Sequence, residues 1–275
     1  MLGSAVAPIP AQALVPHVLQ LDPEGLEQQG LGLAQEAAQL AQFQQFELAI
    51  PRAQLATQLV PNNGEVWALL GSLYLQQERL DEGISALQRA RTLDTRNAPI
   101  LFALGSAYFR QEDYQRSIQY IQAGLRVEPE VPGALFDLGN AYYMQGQYQQ
   151  AIAEYEKAVD LEDEFWPAIN NIGLVLYEQG EVDAALEKWR SAIRIDNSQA
   201  EPQLALAVAL YNRGETEEAL LLGETALRMD GRYADLDFLR DNLWGEQLLS
   251  QTQLFLQLPR IQETIAQLNN ATVTE

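Results

Sequence analysis

Apolar residues recur along this chain at helical spacing, and the whole pattern repeats every 34 residues. Trp67, Leu70, Gly71 and Tyr74 stand 3, 1 and 3 apart. One step of 34 brings Leu101, Leu104, Gly105 and Tyr108, and the next brings Leu135, Leu138, Gly139 and Tyr142. A third step gives Ile169, Ile172, Gly173 and Leu176, and a fourth gives Leu206, Ala207 and Leu210, with Gln203 interrupting. Half a period later runs a second series, Ala49, Gly83, Ser117, Ala151, Ala185 and Ala219. Seven residues after each stand Ala56, Ala90, Gly124, Ala158, Ala192 and Ala226. Spacings of 3, 4 and 7 place residues on one stripe of a helix. Small residues let a neighbouring helix approach, and large ones fill the space beside them. Each period therefore predicts two helices of about a dozen residues joined by a tight turn. The turns read Gln111-Glu112-Asp113, Gln145-Gly146-Gln147, Gln179-Gly180-Glu181 and Arg213-Gly214-Glu215; a glycine just past the last helical residue is the usual left-handed stop.

A single hairpin cannot bury its apolar face alone, so hairpins of this kind stack into a quasi-one-dimensional solenoid. On these residues the chain resembles the tetratricopeptide repeat family. The resemblance implies an all-α, right-handed superhelical solenoid of antiparallel helix hairpins, with six consecutive units over residues 30–233. Pro61 and Pro129 match the family's proline between repeats, where Thr95, Asp163, Asn197 and Gly231 stand elsewhere. The first unit departs most, with Leu33, Ala37 and Leu40 in its first helix. Residues 1–29 are then an N-terminal tail and lead-in helix, and residues 234–275 a capping helix with an amphipathic tail.

The resemblance also assigns a surface. The first helix of each hairpin lines the concave side, through the second, fifth, ninth, twelfth and thirteenth places of the repeat. Those places hold Phe102, Ser106, Phe109 and Arg110, then Phe136, Asn140 and Tyr143, then Asn170 and Tyr177, then Tyr211 and Asn212. Aromatic side chains dominate binding hot spots, and Asn both donates to and accepts from an extended backbone. A protein client, a peptide or helical segment with apolar or aromatic residues, is the expected partner. The competing role for these rings is packing between hairpins, open for Tyr177 and Tyr211 near the seam; Phe102 and Phe136 are expected to be exposed. Family members that bind chaperone tails clamp a terminal carboxylate with Lys and Asn. Here the fifth places are Ala68, Phe102, Phe136, Asn170 and Leu204, with no cation among them, which disfavours that role.

Composition narrows the function further. Lys and Arg number 17 against 38 Asp and Glu, a formal charge of −21 over 275 residues. Nucleic-acid affinity rests on cations displacing counterions, and anionic leaflets repel a polyanion, so neither is an expected partner. The absence of Cys removes disulfides, thiolate nucleophiles and thiolate metal sites. His17 is the one histidine and has no ligand cluster beside it. Neither a phosphate-cradling glycine loop nor an HExxH motif is present. No cofactor, metal or catalytic residue is expected, and the chain is not read as an enzyme.

Both ends carry open questions. No apolar run reaches about 18 residues, so direct membrane insertion is not expected. The start, MLGSAVAPIPAQALVP, is small and apolar around Ala11-Gln12-Ala13, yet the first basic residue is Arg52. It reads as a flexible tail, or as a stretch preceded by an export signal or anchor lying upstream. At the other end, Leu236, Leu239, Leu243 and Trp244 fit a capping helix. Leu248, Leu249, Leu254, Phe255, Leu256, Leu258, Ile261, Ile265 and Leu268 exceed what one cap requires. Packing on the convex face, self-occupation of the groove and a homodimer contact are the alternatives, with simple packing preferred. The Gln-rich acidic helices and the stretch from Asn242 to Gln262 resemble cyanobacterial and plastid tetratricopeptide assembly proteins of photosynthetic membranes, the POR-interacting one among them. The expected function is a scaffold, adaptor or assembly factor holding a client in the groove. The alternative is a structural protein that self-associates through its C-terminal helices. The expected location is cytoplasmic, with thylakoid association under that last resemblance, or exported if a signal precedes the chain.

Overall fold

The computed structural model describes residues 22–272, which are helical and contain no β-strand among them. His17 and the tail before Asp22 lie outside the described residues. Six antiparallel hairpins run first. They are α1 (Pro23–Gln42) with α2 (Phe46–Leu59), α3 (Gly64–Gln76) with α4 (Leu80–Leu93), and α5 (Ala98–Arg110) with α6 (Tyr114–Leu125). Next come α7 (Pro132–Met144) with α8 (Tyr148–Leu161), α9 (Trp166–Glu178) with α10 (Val182–Ile195), and α11 (Ala200–Asn212) with α12 (Thr216–Met229). From α3 onward first helices start every 34 residues, as do all the second helices. The lead-in expected before residue 30 is not separate: Asp22 caps and Pro23 opens one continuous helix of 20 residues. Proline suits that first position because its missing N–H would be unpaired there anyway.

Each hairpin turns through one residue in the left-handed region. Gly146, Gly180 and Gly214 have φ of 70°, 80° and 87°, and Gln44, Glu78 and Glu112 hold the same place with φ of 57°, 57° and 60°. The turn is thus obligatory for the geometry even where no glycine marks it. A Cβ added at Gly180 would meet nothing within 4 Å, so a substitution there carries only the backbone penalty. Gly180→Ala is expected to lower the stability of the α9–α10 hairpin by ~1–2 kcal/mol, and Glu112→Gly to raise it at α5–α6, both readable as shifted urea midpoints.

Packing within hairpins follows one rule. The glycine of each first helix leaves space that a side chain of the second helix fills: Gly71 takes Leu87, Gly105 takes Ile121, Gly139 takes Tyr155 and Gly173 takes Trp189. The filling residues are all fully buried. Between hairpins, Gln54, Gln88 and Gln122 donate to the phenols of Tyr74, Tyr108 and Tyr142, each at 2.7 Å. The series stops where Glu156 and Leu176 replace the pair.

After a short 3-10 turn at Gly231–Ala234 come α13 (Leu236–Asp241), α14 (Glu246–Leu256) and α15 (Pro259–Thr272). Here the structure departs from the preferred sequence expectation of convex packing. α15 lies against α12, but α14 crosses α9 and α11, the first helices of the last two hairpins. Leu248, Leu249, Phe255, Leu256 and Ile261 are buried by these contacts.

Candidate functional site: the inner face and its docked tail

Successive first helices touch one another, α1 with α3, α3 with α5 and α5 with α7, so they line the tighter, inner side of the stack. The residues expected to form a groove there fall into three groups. Phe102 is half-buried, not free: its ring lies in the space left by Gly124, where the other repeats carry alanine. Phe136 is also half-buried, 5.7 Å from the Tyr155 ring and 5.6 Å edge-on to Phe165. The exposure expected for this pair fails because Gly124 leaves a space that the Phe102 ring fills, and because the Tyr155 and Phe165 rings cover part of Phe136. Ser106 and Phe109 are half-buried, with Phe109 edge-on to Tyr114 at 5.3 Å. Arg110 is exposed at its surface but tied, donating to the Leu75 carbonyl at 2.9 Å and pairing with Glu78.

The second group forms a buried polar chain. The Tyr155 phenol donates to Asn140 Oδ1 at 2.7 Å, and Asn171 Nδ2 donates to the same oxygen at 2.9 Å. Asn170 Nδ2 donates to Asn171 Oδ1 at 3.1 Å. Asn170 also donates to the Glu201 carboxylate, which accepts from Trp244 Nε1 at 3.1 Å. One chain of hydrogen bonds therefore links α8, α7, α9, α11 and the tail. Asn140, Asn170 and Asn171 are 9 %, 1 % and 7 % exposed. Buried amides need partners, and here each supplies the next.

The third group holds the tail. Tyr177 is fully buried, and its phenol bonds Gln251, to which Asn212 Nδ2 also donates at 2.9 Å. Tyr211 stands edge-on to Phe255 at 5.6 Å. Tyr143 is buried beside Tyr148, 5.7 Å away. Glu178 caps the docked helix: its two oxygens accept from the backbone N–H groups of Gln247 and Leu248 at 3.1 and 3.0 Å. A carboxylate suits the positive end of a helix, whose first N–H groups lack partners. Gly245 passes so close to the Glu178 side chain that a Cβ there would overlap it. Self-occupation is therefore what the inner face of α9 and α11 shows.

Two acids are displaced by their surroundings. Enclosure of the Glu201 carboxyl pushes its pKa up to about 7, against the hydrogen bonds from Trp244 and Asn170 that hold it down. Burial likewise pushes Asp137 up to about 6. An acid whose folded pKa is raised keeps a proton that the unfolded chain gives up, so its contribution to stability falls as pH rises from the unfolded value to the folded one. Unfolding midpoints are expected to fall between about pH 4 and pH 7 and to level off above that, and to fall less steeply in Glu201→Gln.

Glu178, Glu201, Asn171, Asp137 and Trp244 were not legible as site residues. Glu178 and Glu201 do occupy groove places of the repeat, a signal that could have found them. Asn171 and Asp137 sit one place beyond, and Asn171 reaches back to Asn140 on α7. Among the described residues, no group of His, Cys, Asp or Glu could hold a metal ion, and no helix is long and apolar enough to cross a membrane.

A tetratricopeptide repeat model matches residues 31–98 and 102–167, and a second repeat model of that kind matches 173–214. The chain belongs to the tetratricopeptide repeat family, and its fold is that family's superhelical solenoid. No curated protein matches the sequence. Among solved structures, it is similar to MamA, at 27 % identity and TM-score 0.56, over 58 % of this chain and 94 % of that one. PilF of Pseudomonas aeruginosa is similar at 18 % identity and TM-score 0.65, over 80 % and 99 %. YrrB, described as having an unusual peptide-binding site, is similar at 18 % identity and TM-score 0.53, over 73 % and 97 %. Proteins with this fold serve typically as protein–protein interaction scaffolds.

Proposed function

We propose that this chain is a non-catalytic scaffold whose inner face, along α3, α5 and α7, holds a segment of a client protein. The observation that carries this is the docked tail. On α9 and α11 the inner face already accepts an amphipathic helix, through tyrosine rings, amide donors and a capping carboxylate. On the neighbouring first helices the same face leaves hydroxyl and aromatic positions accessible: Ser72 is exposed, and Ser106, Phe109 and Phe136 are half-buried. The peptide-binding site attributed to YrrB supports this use of the fold. A narrower form, assembly of photosynthetic membranes with thylakoid association, rests on the resemblance of the Asn242–Gln262 stretch alone.

The test is client capture by the full chain. Ser106→Arg with Phe109→Ala is expected to weaken capture by at least about 30-fold, the scale of a lost hot spot of ~2 kcal/mol. Helical circular dichroism should stay unchanged. Capture at wild-type strength would place the client elsewhere. The self-association alternative has Leu254, 62 % exposed, as the large apolar residue that the docked α14 leaves outside. Light scattering on the purified chain decides it: a monomer that still captures a client excludes that role.

A further inference from the structure

Between α5, α7, α9 and α11 the inner face holds a cavity of about 240 Å³, closed on one side by the tail residues Asp241, Asn242 and Leu243. Phe109, Phe136 and Trp166 supply rings to its wall, and Glu201, Asp241 and Asn170 supply oxygens. The acceptors outnumber the donors that meet them. Asn170 is 1 % exposed, and its Oδ1 has no hydrogen-bond partner. Its orientation is set from the other side, because its Nδ2 already serves Asn171 and Glu201. Turning the amide over would put a donor where none is accepted and an oxygen against two oxygens. Among the described residues neither Glu201 nor Asp241 has an Arg or Lys within ion-pair distance. The nearest arginine in sequence, Arg240, is paired with Asp237 instead.

We propose that this cavity receives a guanidinium, the arginine side chain of the client segment that the inner face holds. The proposal rests on the groove reading above and names the chemistry of its anchor. Guanidinium is planar, stacks on aromatic faces and presents five donors with no acceptor. It therefore matches a wall of rings and unfilled oxygens. An ammonium is a more strongly hydrated point charge with three donors, so it fits this wall less well. A carboxylate or phosphate would meet Glu201, Asp241 and a protein of net charge −21. That same charge draws a basic segment inward. Phe109, Phe136 and Trp166 are each half-buried, so part of each ring remains accessible for a cation–π contact. Docking of the tail completes the site, because Asp241 and Leu243 belong to it.

The experiment titrates the full chain with Nα-acetyl-arginine amide, followed through the Trp166 and Trp244 indole signals and the Asn140 and Asn170 side-chain amide signals by NMR. Saturable shifts are expected with the arginine compound. Binding should weaken by about ten-fold or more with the isosteric citrulline compound, which keeps the shape and loses the charge. Asp241→Asn, at an exposed position that carries no core packing, should weaken it similarly; Glu201→Gln provides the buried counterpart. Equal binding of arginine and citrulline compounds overturns the proposal, as does a cavity silent to both. If client capture in that case is still lost with Ser106→Arg and Phe109→Ala, the groove reading survives and only the guanidinium site falls. If arginine binds but client capture ignores those substitutions, the client part of both readings falls.

Discussion

Replacing Phe255 with alanine is expected to destabilise the C-terminal third of the chain by ~3–5 kcal/mol, the cost of truncating a fully buried phenylalanine. The position explains the size of the effect. In the second to fifth hairpins the space beside each first helix is filled by Leu87, Ile121, Tyr155 and Trp189, spaced by 34. The next step of 34 is Gly223, which fills nothing. A Cβ there would lie 2.6 Å from the Phe255 ring, so α14 delivers from outside the repeat the side chain that the sixth hairpin lacks. Phe255 is fully buried, with Tyr211 edge-on to it at 5.6 Å. Its loss empties the end of the core and releases the helix capped by Glu178. In a stack whose units touch only their neighbours, the damage should stay local. Limited proteolysis should therefore cut the tail after Tyr233 early, and the last unfolding transition should move to lower urea, while the first hairpins keep theirs. An unmoved last transition would mean that the tail is not what closes the stack.

The second large effect is overpacking at the centre. Gly139→Leu should cost ~1–3 kcal/mol or more. A Cβ at that position would lie 2.5 Å from the Tyr155 ring, and Tyr155 is fully buried with no room to retreat. The damage reaches further than volume. Tyr155 is the first donor of the polar chain through Asn140 and Asn171, and moving its ring leaves buried amides short of partners, which adds its own penalty. Gly139→Leu with Tyr155→Ala should recover part of the loss, because the second change removes the obstructing ring. Urea unfolding of the single and double variants measures this coupling; strict additivity would contradict the contact.

Much of this molecule is legible in the order of its amino acids alone. Residues 3, 4 and 7 apart share a helix face by geometry, and a step of 34 brings equivalent faces together, so hairpins, turns and stacking glycines are local facts. The left-handed turns at Glu78 and Glu112 have no glycine to mark them, yet the step of 34 from Gly146 places them. The groove is legible only as a set of places. Phe102 sits where an exposed ring is expected, and the difference is one residue, Gly124 in place of alanine, which opens a hole the ring fills.

What the tail does is settled by tertiary structure alone. Its contacts join Glu178 to Gln247, Tyr177 to Gln251 and Glu201 to Trp244, pairs with no common spacing and no periodic mark. An amphipathic helix satisfies its apolar face on any apolar surface of matching shape, so spacing says that it docks but not where. Only the three-dimensional arrangement of α9 and α11, with Gly223 left empty beside them, selects the inner face.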